Sequence, residues 1–489
     1  MKTRSYKLIS LLISTLALTS IFISCGRKFL DEPPRKVTIQ DLFNNPQDGA
    51  QRMIAAVYSK LYDWEQHTFS WTGISSITSD DAEKGSDPGD TGADKHELDG
   101  WTFNPSSLSF LEVWNSNFEG IGRATYALKF LPDMSLLQAD KDRYIGEAQF
   151  LRAYYYFNLV RTFGGVPKID KVLQSQADID AASVKATAAE IWAFIEQDLN
   201  SAINKLPPMV QPAENGRVSK FAAYALLAKV SLYQQKWAQA KANADIVIAG
   251  PYSLMNYALI WREVGEFGPE SIWEVNAIGT TPNRGLQGYF VTQAPRGPGG
   301  LGWGFNTPTQ ELFNAYEPGD IRRDATIMQR GQTLWDGFMV NNGAPNLYYN
   351  YKSYVSKTHE TFNGNDWESN KNLRVLRLGE MYLIKAEAEN ETGNIIPAQN
   401  ALNAVRNRAG LGNTSAATQA ALRDAIWKER RVEMAFEHDR MFDLRRTGRA
   451  GTVLRAHGKP YIDGKHDLFP IPQRQIDLSG GRLIQNPGY

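Results

Sequence analysis

Residues Gly146–Pro167 read GEAQFLRAYYYFNLVRTFGGVP. Apolar and aromatic side chains stand at Phe150, Leu151, Tyr154, Tyr155, Phe157, Leu159 and Val160, with Asn158 among them. They cover nearly the whole circumference of a helix with 3.6 residues per turn, so the stretch predicts a helix buried among other helices. Gly164-Gly165 should end it, and Pro167 prevents its return. Glu147, Arg152 and Arg161 lie on the same helix. Buried charge is costly unless paired, so each is expected to have an opposite partner.

The rest of the chain divides around this helix. Asn45-Pro46 opens a helix whose stripe is Ala50, Met53, Ile54, Val57, Tyr58 and Leu61. Further helices are expected at about 108–131, from the capping box Thr187-Ala-Ala-Glu190, at 220–234 and 237–249, and at 378–391, 398–409 and 420–438. Ala228 and Ala240 stand twelve apart across one helix-to-helix turn, and Ala386 and Ala398 repeat that spacing. Small residues so placed let antiparallel helices approach closely, as in tetratricopeptide hairpins. The predicted fold is mainly α, with a tetratricopeptide-like scaffold over about 46–63, 108–250 and 375–449. Residues 64–107 and 251–374 form a loop-rich part with a few short strands, among them 271–276 and 347–351.

The chain has 489 residues, with 53 basic and 53 acidic side chains. Zero net charge argues against a nucleic-acid partner, which needs a basic face. Lys2, Arg4 and Lys7 precede an apolar run, Leu8–Ile23, too short and too rich in Ser and Thr to span a membrane. Cys25 is the only cysteine, so no intramolecular disulfide forms. Phe22-Ile23-Ser24-Cys25 resembles a bacterial lipobox, with Phe22 where Leu is usual. Residues 1–24 are therefore expected to be a signal peptide, Cys25 the lipidated first residue, 25–45 a tether and 46–489 a single domain. Several acyl chains on Cys25 suffice for stable anchoring.

No catalytic pattern emerges. The six histidines are scattered, with no HExxH, no GxSxG and no Walker loop. Gly297–Gly302 fits GxGxxG but leads into no helix and lies in no βαβ unit. Asp80-Asp81 fix no carboxylate separation of the kind a glycosidase needs. No metal or cofactor is expected. The run Glu429–Arg449 is dense in both signs; several opposite charges lie three or four apart, which supports local pairs, and the run reads as a structural network that locks its helix to the core.

Aromatics are concentrated in the irregular segments, which are expected to meet as one ligand-facing surface over 64–104 and 279–370. A rigid Trp face covers the C–H face of a sugar at little entropic cost. Trp71, Trp101, Trp303, Trp335 and Trp367 are the candidate stacking platforms. Asp80, Asp81, Asn341 and Asn342 are the candidate hydroxyl partners.

The helix at 146–167 also resembles the central motif of the SusD/RagB family. Gly216–Tyr233 (GRVSKFAAYALLAKVSLY), Arg377–Asn390 (RLGEMYLIKAEAEN), Glu429–Gly448 (ERRVEMAFEHDRMFDLRRTG), Leu468–Pro472 (LFPIP) and Gln485–Tyr489 (QNPGY) resemble its further signatures, in the family's order. The resemblance implies a nutrient-binding outer-membrane lipoprotein without enzymatic activity. It would bind an extracellular oligosaccharide or polysaccharide and act as a lid-like partner of a SusC-type TonB-dependent transporter. A RagB-like binder of peptides is the alternative. The family's ligand residues lie outside these motifs, so the site residues rest on sequence character alone.

Overall fold

In a computed structural model, the structure describes residues 39–489 apart from 88, 91, 278–285, 287 and 362–368. The signal peptide, Cys25 and Trp367 lie outside the described residues. The chain divides into two units, residues 1–49 and 50–489. Described in the first unit are the short helix Ile39–Asn44 and the start of α1 (Pro46–Tyr58). The rest of α1 belongs to the second unit, where Ala50, Met53, Ile54 and Val57 are buried.

The scaffold continues through α2 (Leu108–Phe130), α3 (Gln138–Phe163), α4 (Ala188–Lys205), α5 (Lys220–Tyr233) and α6 (Trp237–Ile248). It resumes after the loop-rich part with α7 (Leu378–Glu391), α8 (Ile395–Arg408), α9 (Gln419–Glu433) and α10 (Arg440–Arg446). Each helix packs on its neighbours in turn: α3 on α2 and α4, α5 on α4 and α6, α7 on α6, α8 and α9. Ala228, Ala240, Ala386 and Ala398 are fully buried, which permits the close approach of α5 to α6 and of α7 to α8. This is the tetratricopeptide-like scaffold expected. Thr187 closes its capping box with Glu190.

α3 is the centre of the core. Every residue from Phe150 to Phe163 is buried, and Glu147, Arg152 and Arg161 each have an opposite partner. Glu147 meets Arg143 at 3.0 Å and Arg217 at 2.7 Å. Arg152 meets Asp198 of α4, and Arg161 meets Asp439 at 2.9 Å. Gly164 ends the helix at φ +73°, where a Cβ would come within 2.7 Å of Leu468. The chain terminus seals this end. Phe469 N donates to Thr162 O, and the buried Asn486 amide donates to Phe163 O at 2.9 Å and Phe469 O at 2.7 Å. The LFPIP and QNPGY motifs are therefore one clamp on the end of α3.

Among the described residues the loop-rich part holds three two-stranded antiparallel sheets. β1 (Ala82–Gly85) pairs with β3 (Phe305–Pro308), β2 (Ser271–Val275) with β6 (Leu373–Arg377), and β4 (Ile327–Gln329) with β5 (Tyr348–Asn350). β2 and β5 lie where short strands were expected; the other four strands carry no alternation long enough to read. The segment 64–104, expected as irregular loop, is instead short helices at Trp64–His67, Phe69–Thr72 and Ala93–Asp99, a π turn at Gly73–Ile77, and β1. Most of these pieces are about one helical turn long, too short to show a period.

The charged run near the C-terminus differs from expectation in where its helix ends. α9 stops at Glu433 rather than near His438, because Phe436 and His438 take left-handed φ of 62° and 69°. That turn puts Phe436 among Leu312, Tyr316 and Tyr348 and brings Glu437 to Arg377 and Lys352 at 2.6 and 2.7 Å. The ion pairs lock the run to the core as expected, mostly between elements rather than three or four residues apart. Fully buried Glu433 meets Arg322 at 2.9 Å and also Arg377 and Arg408, while Arg430 meets Glu380 and Asp443 at 2.7 Å each. Burial would raise the Glu433 carboxyl, but Arg408, Arg377 and Arg322 outweigh it and hold it well below the ordinary range. The run cross-links α7, α9, α10 and the loop-rich part.

Candidate functional site

Four of the sequence-derived candidates are core residues. Trp71, 2% exposed, stacks on Phe442 of α10 at 5.5 Å, with the Arg161 guanidinium over its ring. Trp101 is buried among Phe103, Tyr461, His466 and Phe469, and its Nε1 donates to Thr78 O at 3.1 Å. Asp80 and Asp81 are buried and held by two arginines: Arg440 reaches both Asp80 oxygens at 2.8 Å, and Arg431 Nε donates to Asp81 at 2.6 Å. Burial alone would raise the Asp80 carboxyl, but Arg440 and Arg431 hold it below the usual range. These four stand where a ligand does not reach, because the loop that carries them folds inward as helical turns.

The two irregular segments do pack together. β1 pairs with β3, Asp90 forms an ion pair with Arg296, and Asn346 Nδ2 donates to Ser86 O at 3.1 Å. At this junction Trp303 lies 5.9 Å from Trp64 and 6.1 Å from Phe69, all three half-buried.

The exposed platform is Trp335. β4 and β5 are joined by a hairpin arm whose inner side packs Leu334, Val340 and Ala344 against Phe290, Ala294 and Leu301. The tip is a tight turn in which Leu334 N donates to Phe338 O and Gly337 takes φ +84°. Trp335 projects from this tip, 53% exposed, over a cleft of about 690 Å³. Its ring meets that of His359 edge-on at 4.9 Å. A large exposed aromatic is thus presented beside a second ring before any ligand arrives. Asn341 and Asn342 lie at the foot of the arm, outside the cleft lining; Asn341 Oδ1 accepts from Gly343 N at 2.7 Å.

The far wall of the cleft comes from Ala258–Val264 and Ile321–Ala325. Leu259, Val264 and Ile321 expose apolar surface there, Val264 to 82%. Polar groups sit at the back. Arg262 Nη2 donates to Tyr351 O at 3.0 Å, Glu360 accepts from Glu263 N and Ser356 N at 2.8 Å each, and Glu263 accepts from Thr361 Oγ1 at 2.6 Å. Burial would raise the Glu360 carboxyl, but Lys371 and Arg262 outweigh it and hold it low. Burial pushes the Tyr351 hydroxyl up to about 12, so it stays protonated. One aromatic face, an apolar wall and hydrogen-bonding groups fit a ligand with both apolar and hydroxyl surfaces. Among the described residues no group of three or more His, Cys, Asp or Glu side chains is placed to hold a metal ion. Tyr351, His359, Arg262 and Glu360 were not legible as candidate site residues; only the place of Tyr351 at the end of the expected strand 347–351 hinted at its position.

A helical-repeat scaffold that carries a preformed cleft on a loop-rich half defines a ligand-binding protein. The family model described as "SusD family" matches residues 269–489, and that described as "Starch-binding associating with outer membrane" matches residues 28–232. The chain is 32% identical to a laminarin-binding SusD-like protein, covering 90% of this chain and 99% of that one with a TM-score of 0.78. It is 25% identical to surface glycan-binding protein A from Bacteroides thetaiotaomicron in complex with laminarihexaose, covering 90% and 99% with a TM-score of 0.77. Among sequence relatives, SusD-like protein P2 of Formosa agariphila is 26% identical, covering 82% of this chain and 86% of P2. The chain belongs to the SusD family. No helix among the described residues is long and apolar enough to cross a membrane.

Proposed function

We propose that this protein is a cell-surface lipoprotein of the outer membrane that captures an extracellular oligosaccharide or polysaccharide and delivers it to a SusC-type TonB-dependent transporter, without catalysis. The observation that carries the reading is Trp335, exposed on its hairpin tip beside His359 at the edge of a cleft of about 690 Å³. A pyranose stacks its C–H face on such a ring, and its hydroxyls meet the polar groups behind. The glycan-binding relatives support the ligand class, and the family description supports the outer membrane. Lipidation of Cys25 and display at the outer face complete the proposal.

The test is affinity electrophoresis against a panel of polysaccharides and against peptide digests, followed by calorimetry on wild type and Trp335→Ala. Glycan retention lost in Trp335→Ala is the expected result. Retention by peptides alone would replace this function with the RagB-like one. Release of reducing sugar from a bound glycan would overturn the non-catalytic assignment.

A further inference from the structure

Resting on the reading of the Trp335 cleft as the glycan site, we infer that the glycan it takes is uncharged, and that the cleft's own charges exclude sulfated and uronate polymers. Among the described residues Arg262 is the one Arg or Lys side chain in the lining, with His359 the only other basic group there. Arg262 is engaged on all sides. Nη1 faces Glu360 at 3.5 Å, Nη2 donates to the Tyr351 carbonyl, and the guanidinium lies over the Tyr351 and Tyr354 rings at 5.0 and 5.6 Å. Among the described lining residues, an anionic group entering the cleft finds no uncommitted Arg or Lys to receive it.

Three carboxylates line the cleft against that single arginine, Glu263, Asp324 and Glu360, with Lys371 near Glu360 and Arg323 bonded to Asp324 outside the lining. Glu360 is buried at the back against Arg262. Glu263 accepts from Thr361 N and Oγ1. Asp324 stands at the mouth, exposed, its Oδ1 accepting from Arg323 Nε at 2.9 Å. Fixed like charges repel an incoming sulfate or carboxylate, and the low-dielectric apolar wall strengthens the effect. Hydrogen bonding points the same way. A carboxylate only accepts, and so does a sulfate or uronate oxygen, whereas a sugar hydroxyl donates as well. Asp324 and Glu263 can therefore receive hydroxyl protons from a neutral glycan and nothing from an acidic group. Specificity built on the rejected partner's charge needs no extra contact to the accepted one.

The test is calorimetry of the mature protein at two salt concentrations with neutral polymers (laminarin, galactomannan, arabinoxylan) and acidic ones (alginate, carrageenan), on wild type, Trp335→Ala and Asp324→Lys. The expected result is Trp335-dependent binding of at least one neutral polymer, at least tenfold tighter than any acidic one. Asp324→Lys should then admit an acidic polymer with salt-sensitive affinity. Trp335-dependent binding of an acidic polymer by wild type, within tenfold of the best neutral one, would overturn the inference. So would an Asp324→Lys variant that still rejects every acidic polymer, because charge would then not be the filter. Failure of the underlying site reads differently: Trp335→Ala would leave every affinity unchanged, and both readings would fall together.

Discussion

Arg152 of α3 grips Asp198 of α4 through two parallel contacts, Nε to Oδ2 at 2.7 Å and Nη2 to Oδ1 at 2.9 Å, with both side chains buried. The guanidinium also lies over Phe194 at 4.7 Å. Burial pushes the Asp198 carboxyl up against the pull of Arg152, so the pair is a balance of desolvation and attraction. Removing one member leaves the other charge buried alone. Asp198→Ala should cost about 3–5 kcal/mol, while the double apolar variant Arg152→Met with Asp198→Leu should cost less than either single change. Urea unfolding of the three variants checks this, and a double variant worse than both singles would contradict it.

Phe157 tests the core reading of the same helix. Its ring is fully buried, lies edge-on to Tyr233 at 5.3 Å and carries the Arg161 guanidinium at 4.0 Å. Phe157→Ala should destabilise by roughly 3–5 kcal/mol. A thermal midpoint equal to wild type would mean that α3 does not anchor the core.

His67 and His438 set the acid side of stability. Burial pushes His67 down to about 3, helped by the nearby His438, and pushes His438 down to about 4 despite Asp439 and Glu437 beside it. In the unfolded chain both take up a proton below about pH 6.5. The unfolded state then binds more protons, so stability falls as pH falls from about 6.5 toward 4. Glu266, raised to about 7 by burial, acts in the opposite sense over the same window, so the test is differential. The stability gap between wild type and His67→Gln should shrink by roughly 1.4 kcal/mol per pH unit between 6.5 and 4.5. A gap constant with pH would show that His67 protonates equally in both states.

Much of the scaffold is visible in the sequence because long helices repeat their apolar pattern often enough to be read. α2, α5, α6 and α7 fall within a residue or two of expectation. Trp71 and Trp335 show where that stops. Both stand in aperiodic stretches rich in Gly, Asp or Asn, and sequence character does not separate them. One is inside because Phe442 covers it, the other outside because a hairpin arm lifts it clear. Asp80 and Asp81 read as solvated loop acids because their partners Arg440 and Arg431 lie 360 and 350 residues downstream. The charges of Glu429–Arg446 were legible as a network locking their helix to the core, but not their partners: spacing along one helix can be read, and the arginines that approach Glu433 from other elements cannot.

Cys25 carries the proposal for the anchor. It is the sole cysteine and follows an apolar leader and a serine. Cys25→Ala should move the protein from the outer-membrane fraction to the soluble one. Intact mass of the membrane-bound wild type should show acyl chains on a mature protein that begins at residue 25. Unmodified Cys25 in membrane-bound material would overturn the anchor.

Trp71 and Trp335 together separate the scaffold from the site. Trp71 is sealed between Phe442 and Arg161, so its truncation opens a large cavity next to α3. Trp71→Ala should cost about 3–5 kcal/mol of stability, with glycan affinity intact in the fraction that remains folded. Trp335 is half exposed on a hairpin tip whose packing is carried by Leu334 and Val340, and surface substitutions of that kind change stability by about 0.5 kcal/mol or less. Its loss removes the stacking face, and aromatic stacking contributes on the order of 1 kcal/mol beyond burial. With the buried area of one sugar ring added, binding should weaken by about tenfold or more. The two variants should therefore show opposite signatures, a lowered melting temperature with native affinity and a native melting temperature with lowered affinity. Differential scanning calorimetry and glycan titration on the same preparations read both. If Trp71→Ala melts like wild type and binds poorly, the buried tryptophan faces ligand and the site lies at the 64–104 segment. If Trp335→Ala binds like wild type, the cleft beside it is not where the glycan docks.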